Sequence, residues 1–329
     1  MPKVKLKNRK EFEAAPDTFI LNEAQKNSLT LEYSCKTGRC GVCKARVITG
    51  DTKILQSEAA LTPSEQAEGF ILTCCRSAVS DVELNIGDIG RIGSVKIKTL
   101  PCRIDALTPL SDDIMHVLLR LPPNSSLDYI AGQYVDIIGA NGVRRSYSLA
   151  STKRSDAKLE FHIRKVPNGA MSHYWFSNAK VNDILRIEGP LGTFSLRSST
   201  FDNIIFLGTG TGIAPIKAML GELALDSEAT ANRHVHVYWG GRTPQDIYEN
   251  FHFSNFNFTY VPSLSRKNSA WSGRVGYVQN CVIEDGVEIS NAVVYACGSE
   301  AMIHSARTLF TAHGLDPQNF YSDAFVSSN

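Results

Sequence analysis

Three cysteines lie within nine residues near the start of this 329-residue chain, and they constrain its fold more than any other feature. Cys35, Cys40 and Cys43 follow the spacing C-x₄-C-x₂-C, and two neighbouring cysteines, Cys74 and Cys75, follow downstream. Two irons that share two sulfides need four thiolate ligands, and this spacing supplies three of them from one loop. The pattern therefore predicts a [2Fe–2S] cluster held by the first three cysteines and one downstream cysteine.

Two other uses of these cysteines are less well supported. A structural zinc site usually adds a second cysteine pair or two histidines at close spacing, and neither follows here. A disulfide framework is not expected in a long chain without a secretory signal. Gly38 and Gly41 would let the loop adopt positive φ angles, which turn its N–H groups toward the sulfur atoms.

The identity of the fourth ligand depends on two adjacent side chains. In an extended segment, neighbouring side chains point in opposite directions, so only one of Cys74 and Cys75 is expected to face the cluster. Cys74 is favoured because it ends the apolar run 70–73, whereas Cys75 would be a small buried thiol. Cys75 remains the alternative.

The composition argues against several classes of function. The chain is 43% hydrophobic and 20% charged with a net charge of +1, which gives no support for binding to nucleic acid or to a membrane surface. The basic residues 1–7 are not followed by an apolar stretch, and no apolar run reaches the ~20 residues that span a bilayer. We therefore expect a cytoplasmic protein without a membrane segment.

Changes in pattern along the chain predict three domains, at residues 1–92, 97–198 and 201–329. The first is a small α+β unit whose helix would begin with Thr62 as N-cap, Pro63 at the first position and Glu65 at the third. The glycine-rich stretch 87–93 is predicted to be a linker. The second has short strands at close intervals, which favours an antiparallel β-barrel; examples are 115–121, 132–138 and 159–164.

The third domain alternates strands with helices and is predicted to be an α/β domain with a parallel sheet. Its predicted strands are 203–207, 234–239, 256–261 and 292–298, and its predicted helices are 216–220, 244–251 and 299–312. A glycine-rich loop, Gly208, Thr209, Gly210, Thr211 and Gly212, connects the first strand to a helix, an arrangement that holds a pyrophosphate. Ligands bind at the carboxyl ends of such strands, so this loop, 240–242 and Cys297 with Gly298 should line one crevice.

Two stretches of the predicted barrel carry residues suited to a flavin. Arg145 and Tyr147 alternate along a strand and would offer a cation to the pyrophosphate and an aromatic ring to the flavin. Gly169, Met171 and Ser172 lie where a helix would begin and present N–H groups to a phosphate. The alternatives are an ordinary strand with a surface arginine, and a plain turn in which Ser172 caps its own helix.

These motifs together resemble known families. The cysteine loop resembles the plant-type ferredoxins, which have a β-grasp fold. Residues 145–148 with 169–172 are similar to the flavin signature of the ferredoxin–NADP reductase superfamily, and residues 208–215 with 295–298 to its nicotinamide signature. The resemblance covers nearly the whole chain, and it implies a ferredoxin-fused reductase that passes electrons from NADH to FAD, then to the [2Fe–2S] cluster and to a partner protein.

Position by position, the resemblance implies FAD contacts at Arg145, Tyr147, Ser148, Gly169, Met171 and Ser172. It places Cys297 near the nicotinamide and Phe325 near the flavin ring, and it makes both, with Ser148, the expected catalytic residues. Arg242 and Arg266 lie where family members distinguish the two nicotinamide cofactors, and either could meet a 2′-phosphate. The family nevertheless favours NADH.

Ferredoxin-fused reductases of this kind serve aromatic-ring oxygenases or act in 3,6-dideoxyhexose biosynthesis. Four stretches are most similar to the second group: 32–36, 71–75, 185–190 and 320–326. The resemblance thus favours a pyridoxamine-phosphate-dependent CDP-sugar dehydratase as the redox partner. An oxygenase is the alternative partner.

Overall fold

The protein is represented by a computed structural model that describes residues 1–90, 95–139 and 142–325. Two predicted segments lie partly outside the described residues: the linker at 91–93, and the stretch 320–326 at its last residue, 326. The chain forms two compact units, one up to Lys96 and one from Ile97 to Phe325. Within the described residues, none of the helices combines the length and the apolar character that crossing a membrane requires.

The first unit is a small α+β domain with its own apolar core. Its strands are β1 (Lys3–Leu6), β2 (Glu11–Glu13), β3 (Lys44–Thr49), β4 (Thr52–Ile54), β5 (Phe70–Leu72), β6 (Arg76–Ala78) and β7 (Val82–Leu84), and its helices are α1 (Ile20–Lys26) and α2 (Pro63–Ala67). The main sheet has the order β2-β1-β7-β3-β5, with β1 and β7 parallel, and β4 pairs with β6 separately. The predicted start of α2 is confirmed, because Thr62 and Glu65 form a capping box.

The second unit begins with a six-stranded antiparallel sheet that encloses an apolar core. Its strands are β8 (Lys98–Ser111), β9 (Ile114–Arg120), β10 (Tyr134–Ile138), β11 (Arg144–Ser148), β12 (Lys158–Arg164) and β13 (Ile184–Leu191), in the order β11-β10-β13-β8-β9-β12. Helix α3 (Ala170–His173) follows β12 and continues as a π-helical turn, Tyr174–Asn178. The alternating apolar residues of β12, Leu159, Phe161 and Ile163, lie in the core.

The rest of the second unit is a six-stranded parallel sheet flanked by helices. The strands are β14 (Asn203–Thr209), β15 (His234–Gly241), β16 (Asn257–Leu264), β17 (Arg274–Val275), β18 (Ala292–Gly298) and β19 (Phe320–Ala324), in the order β17-β16-β15-β14-β18-β19. The helices are α4 (Ile213–Leu225), α5 (Ser227–Thr230), α6 (Val278–Glu284) and α7 (Glu300–Ala312). The central strands are buried on both faces, as their continuous apolar runs predict, and the three predicted architectures are confirmed.

The predicted helix over 244–251 is wrong. Only Pro244–Asp246 is helical, as a single 3₁₀ turn. The carboxylate of Asp246 accepts hydrogen bonds from the backbone N–H groups of Arg242 and Thr243, which closes this turn. Beyond it, the Tyr248 hydroxyl lies 3.1 Å from Nδ1 of His162, so a contact with the barrel replaces the next helical turn.

Candidate functional site

The cysteine loop connects α1 to β3 in an irregular path that depends on positive φ angles. Lys36, Gly38 and Gly41 have φ of 56°, 74° and 73°. The positive φ angles predicted for the two glycines are thus confirmed. At Gly38 a Cβ atom would lie 2.1 Å from the carbonyl oxygen of Ser57, so the close approach of the two segments also requires glycine there.

The four predicted ligand sulfurs come together as two close pairs. The sulfur atoms of Cys43 and Cys74 are 3.3 Å apart. The Cys43 thiol lowers the pKa of Cys74 through this contact, and a hydrogen bond from Cys40 lowers the pKa of Cys35. The N–H of Thr37 also donates to Sγ of Cys35 over 3.3 Å. The same contacts raise the pKa of Cys40 and of Cys43, so each pair favours one thiolate, the form that binds iron, and one thiol.

Cys74 and Cys75 lie in a turn between β5 and β6, so the argument from alternating side chains of an extended strand is wrong here. Their sulfur atoms are 3.5 Å apart rather than on opposite sides. Cys75 is fully buried, and its Sγ lies 3.4 Å from the Ser57 carbonyl oxygen and 3.6 Å from Nε2 of Gln56. These contacts point Cys75 toward the protein, whereas Cys74 points toward Cys43.

Two features that support the loop are missing from the sequence-based prediction. The Gln56 amide donates to the carbonyl oxygens of Cys74 (2.7 Å) and Lys36 (3.1 Å), which connects the turn to the loop. The buried carboxylate of Glu58 accepts from the N–H of Leu72 and pairs with Arg76 at 2.7 Å. No short motif marks these residues. The four grouped thiols with aimed N–H groups fit a [2Fe–2S] cluster.

The two arginines at the start of β11 differ in their partners. Arg144 pairs with Asp136 (3.1 Å) and Glu188 (2.8 Å). Arg145 is half-buried, and within the described residues its guanidinium donates to the Arg144 carbonyl oxygen and forms no ion pair. A half-buried guanidinium without a carboxylate partner fits a phosphate group.

An aromatic contact joins β11 to the segment after β12. Nε1 of Trp175 donates to the Tyr147 hydroxyl over 3.1 Å, and the two rings meet edge to face. Burial raises the pKa of Tyr147 to about 12, so the phenol stays protonated. Ser148 pairs with Tyr134 in the sheet, and its hydroxyl forms no hydrogen bond within the described part of the chain. No motif in the sequence predicts this contact of Trp175.

The turn before α3 is held by a side-chain hydroxyl. Oγ of Ser172 accepts a hydrogen bond from the N–H of Val166 over 2.9 Å, so this residue closes the turn rather than capping its helix. Met171 and Ser172 are buried, and Gly169 is the N-cap of the helix, which has only one α-helical turn. The turn and β11 carry the residues predicted for the flavin, and Trp175 connects them.

The predicted nicotinamide segments meet at the carboxyl edge of the parallel sheet. The strand register places Thr209 beside Gly240 and Gly208 beside Cys297. A Cβ at Gly212 would lie 2.2 Å from the Cys297 carbonyl oxygen, and one at Gly298 would lie 2.1 Å from Oγ1 of Thr209. Glycine is therefore required where the loop touches β18, and the structure brings the loop, Gly240 and β18 side by side at this edge. Gly210, Thr211 and the exposed Arg242 and Arg266 belong to segments that follow these strands.

Two of the three predicted catalytic residues lie close together. The N–H of Phe325 donates to the Gly298 carbonyl oxygen over 2.9 Å, which fixes this residue beside Cys297. Phe325 is 41% exposed, whereas Cys297 is completely buried. Burial, and then the charge of Asp323 on the neighbouring strand, raise the pKa of the Cys297 thiol well above its ordinary value. Ser148 lies separately on the barrel strand β11.

Comparisons with known proteins identify each part of the chain. Residues 4–79 match the 2Fe-2S iron-sulfur cluster binding domain, 101–196 the oxidoreductase FAD-binding domain and 206–308 the oxidoreductase NAD-binding domain. The chain is 42% identical over 321 residues to the CDP-6-deoxy-L-threo-D-glycero-4-hexulose-3-dehydrase reductase of Yersinia pestis, and the match covers 96% of each chain. The chain belongs to the family of ferredoxin-fused flavoprotein reductases.

Other flavoprotein reductases of this architecture are also similar. The reductase component of the propane 2-monooxygenase of Rhodococcus jostii is 30% identical, with 96% of this chain and 89% of the relative covered. The crystal structure of a cytochrome P450 reductase from Amycolatopsis superposes with a TM-score of 0.78 at 27% identity and covers 99% of both chains. The chain is therefore an oxidoreductase with domains for a [2Fe–2S] cluster, FAD and NAD, as predicted.

Proposed function

We propose that this flavoprotein reductase supplies electrons to a CDP-6-deoxyhexose 3-dehydratase that uses pyridoxamine phosphate, in the biosynthesis of 3,6-dideoxysugars. The observation that supports this partner is the 42% identity to a 3-dehydrase reductase along almost the entire length of both chains. An oxygenase is the second candidate, supported by the 30% identity to a monooxygenase reductase component.

Residues of β11, of the turn before α3 and of the glycine loop would hold the cofactors. Bound FAD would supply two-electron chemistry with NADH, and a bound cluster would supply one-electron transfer. Arg145 would neutralise the flavin pyrophosphate, Tyr147 would lie against the ring system, and the buried Met171 and Ser172 would shape the phosphate turn. Ser148, whose hydroxyl is available for hydrogen bonding, would orient the reacting part of the flavin.

At the nicotinamide crevice, the glycine loop 208–212 would bind the pyrophosphate through backbone N–H groups. The buried thiol of Cys297 would form part of the wall of the nicotinamide pocket as a neutral, apolar group. Phe325 would cover the flavin ring and exclude water from it. Cys35, Cys40, Cys43 and Cys74 would hold the cluster as thiolates.

We further propose that NADH is the preferred reductant. The support is the resemblance to a family that favours NADH, and Arg242 and Arg266 are both exposed rather than buried for a 2′-phosphate. We expect kcat/KM to be higher with NADH than with NADPH in dye reduction. If NADPH is the better substrate, Arg242→Gln and Arg266→Gln will show which arginine recognises the phosphate.

Reconstitution with each partner tests the proposed function. Purified reductase, NADH and a CDP-6-deoxyhexose 3-dehydratase with its CDP-sugar should give the 3-deoxy product, and a ring-hydroxylating oxygenase with its aromatic substrate should give little turnover. Cys40→Ser should stop transfer to the dehydratase but retain NADH-dependent reduction of a dye that accepts electrons from the flavin. Efficient oxygenase turnover without dehydratase turnover would contradict the proposed partner.

A further inference from the structure

Strand β12 has an unusual second face. Its side chains alternate, and the apolar set points into the barrel core. The opposite set includes Glu160, His162 and Arg164, which would ordinarily be exposed to water, but Glu160 and His162 are only 4% and 5% exposed. We call these three residues the polar face of β12. The parallel-sheet domain covers this face through Lys217, Tyr248 and Asp246.

Glu160 connects the barrel to the first helix of the parallel-sheet domain. Its carboxylate lies 3.0 Å from Nζ of Lys217, which is on α4, and 2.9 Å from Arg154 of the barrel. Burial alone would raise the pKa of Glu160, but hydrogen bonds from His116 and His162 and the charge of Lys217 hold this pKa well below its ordinary value. The carboxylate is thus a buried anion with a cation from each domain.

His162 connects the barrel to the segment after β15. Its Nδ1 lies 3.1 Å from the Tyr248 hydroxyl, and its Nε2 lies 3.9 Å from the carboxylate of Glu249. Glu249 in turn pairs with Lys217 at 2.6 Å, so the contacts of Glu160 and His162 form one network. Burial lowers the pKa of His162, which keeps its ring neutral at pH 7.

Arg164 makes the third connection. Its guanidinium pairs with Asp113 of the barrel at 2.9 Å and with the buried Asp246 of the parallel-sheet domain at 2.5 Å. Asp246 closes the turn after β15. A Cβ at Gly210 would lie 2.7 Å from the same guanidinium, so Arg164 also packs against the glycine loop.

All three contacts reach segments adjoining the predicted nicotinamide site. Helix α4 begins at the glycine loop, and residues 242–249 follow the strand beside it. At its own end, β12 leads into the turn predicted to hold the flavin phosphate. We propose that the polar face of β12 is an interdomain clamp in which Glu160 and Lys217 are positioning residues that fix the nicotinamide segments relative to the flavin.

This inference rests on the flavin and nicotinamide sites proposed above but not on the identity of the partner. Reduction of ferricyanide by NADH tests it in the full-length, FAD-loaded protein without any partner enzyme. The substitution is Glu160→Gln. Asp105→Asn is a matched control, because Asp105 is also a barrel carboxylate between an arginine (Arg120, 3.1 Å) and a lysine (Lys158, 2.8 Å), but both of its partners belong to the barrel.

We expect Glu160→Gln to lower kcat/KM for NADH by about 10–100-fold, the loss that a small misplacement of reacting groups produces. Its FAD and iron contents should stay at the wild-type level. Hydrogen exchange should increase in α4 and in 242–249, whereas Asp105→Asn should leave the exchange of these segments unchanged. The clamp would be overturned if Glu160→Gln and Asp105→Asn differed by less than twofold both in kcat/KM for NADH and in the hydrogen-exchange rates of α4 and 242–249.

The double variant Glu160→Gln/Lys217→Gln separates positioning from stability. It removes the Glu160–Lys217 pair together, so neither charge of this pair stays buried alone. Glu249 also loses Lys217, but its side chain is 26% exposed to water, so thermal stability should still recover toward the wild type. With a positioning role, kcat/KM stays low in this stable variant, whereas recovery of wild-type kcat/KM would contradict such a role.

The experiment could instead show that these residues bind a metal ion. His116, Glu160 and His162 each offer one ligand atom, and these three atoms lie within 4.8 Å of one another. Stoichiometric zinc that is lost in His116→Ala would also overturn the clamp.

Discussion

The sulfur atoms of Cys43 and Cys74, which are separated by 31 positions in the chain, lie 3.3 Å apart. Pairing between β3 and β5 produces this contact, because Lys44 lies opposite Leu72 and the N–H of Thr73 donates to the Cys43 carbonyl oxygen over 3.1 Å. The sheet register thus carries the turn with the fourth ligand candidate to the end of the cysteine loop. Cys75, one residue further, contacts Ser57 instead.

Serine at each of the two adjacent positions should therefore have different effects. Cys74→Ser should lose most of the cluster, since a hydroxyl is a poor ligand for iron, whereas Cys75→Ser should retain it. Visible absorption together with iron and acid-labile sulfide per FAD measures the result. Loss of the cluster in Cys75→Ser but not in Cys74→Ser would show that Cys75 is the ligand.

The two loop glycines should also differ, although both have φ near +74°. A left-handed conformation costs alanine about 1–2 kcal/mol at either position. In Gly38→Ala the new methyl would also lie 2.1 Å from the Ser57 carbonyl oxygen, whereas in Gly41→Ala its nearest neighbour is the Ala60 methyl at 3.5 Å. We expect the first variant to contain less than half the wild-type iron and the second to contain nearly all of it. Equal iron contents would contradict the steric argument.

Cys297 should be unreactive in the folded protein, because it is fully buried and burial raises the pKa of its thiol. Mass spectrometry after treatment with iodoacetamide at pH 8 should find it unmodified in the native protein and modified in urea. Glu300→Cys places an exposed thiol nearby as a positive control. Alkylation of native Cys297 at the rate of this control would show that the pocket opens to solvent.

His236 should make the second unit less stable in mild acid. Burial, and then the charge of His234 stacked at 3.9 Å, lower the pKa of His236 to about 4. Between pH 6.5 and 4 the unfolded chain therefore binds a proton that the folded protein does not, so stability falls as the pH decreases. At pH 5 this one residue costs about 2 kcal/mol relative to neutral pH.

Urea unfolding of the FAD-loaded protein at pH 7.5 and pH 5 measures this effect. His236→Gln should lose less stability between the two pH values than the wild type. The exposed His304→Gln is the control and should behave as the wild type does. If His236→Gln shows the same loss as the wild type, His236 is not the residue that takes up the proton.

Local sequence signals were sufficient for much of the architecture. The capping box at Thr62 and Glu65 marks a helix start through contacts within a few residues, and this start is found in the structure. The apolar run of β14 and the glycines after it likewise predicted a buried parallel strand and its loop. The spacing of Cys35, Cys40 and Cys43 predicted the cluster loop, because one short segment carries most of the ligand set.

Contacts between distant segments decided the rest. The alternation along β12 predicted a strand but not that Glu160 and His162 lie beneath a second domain, since their partners Lys217 and Tyr248 are more than fifty positions away. The helix predicted over 244–251 fails because Asp246 and Tyr248 bond to the barrel instead. The choice between Cys74 and Cys75 depends on a turn whose geometry follows from sheet register. Spacing and periodicity record neighbours along the chain, whereas these features depend on which surfaces fold against one another.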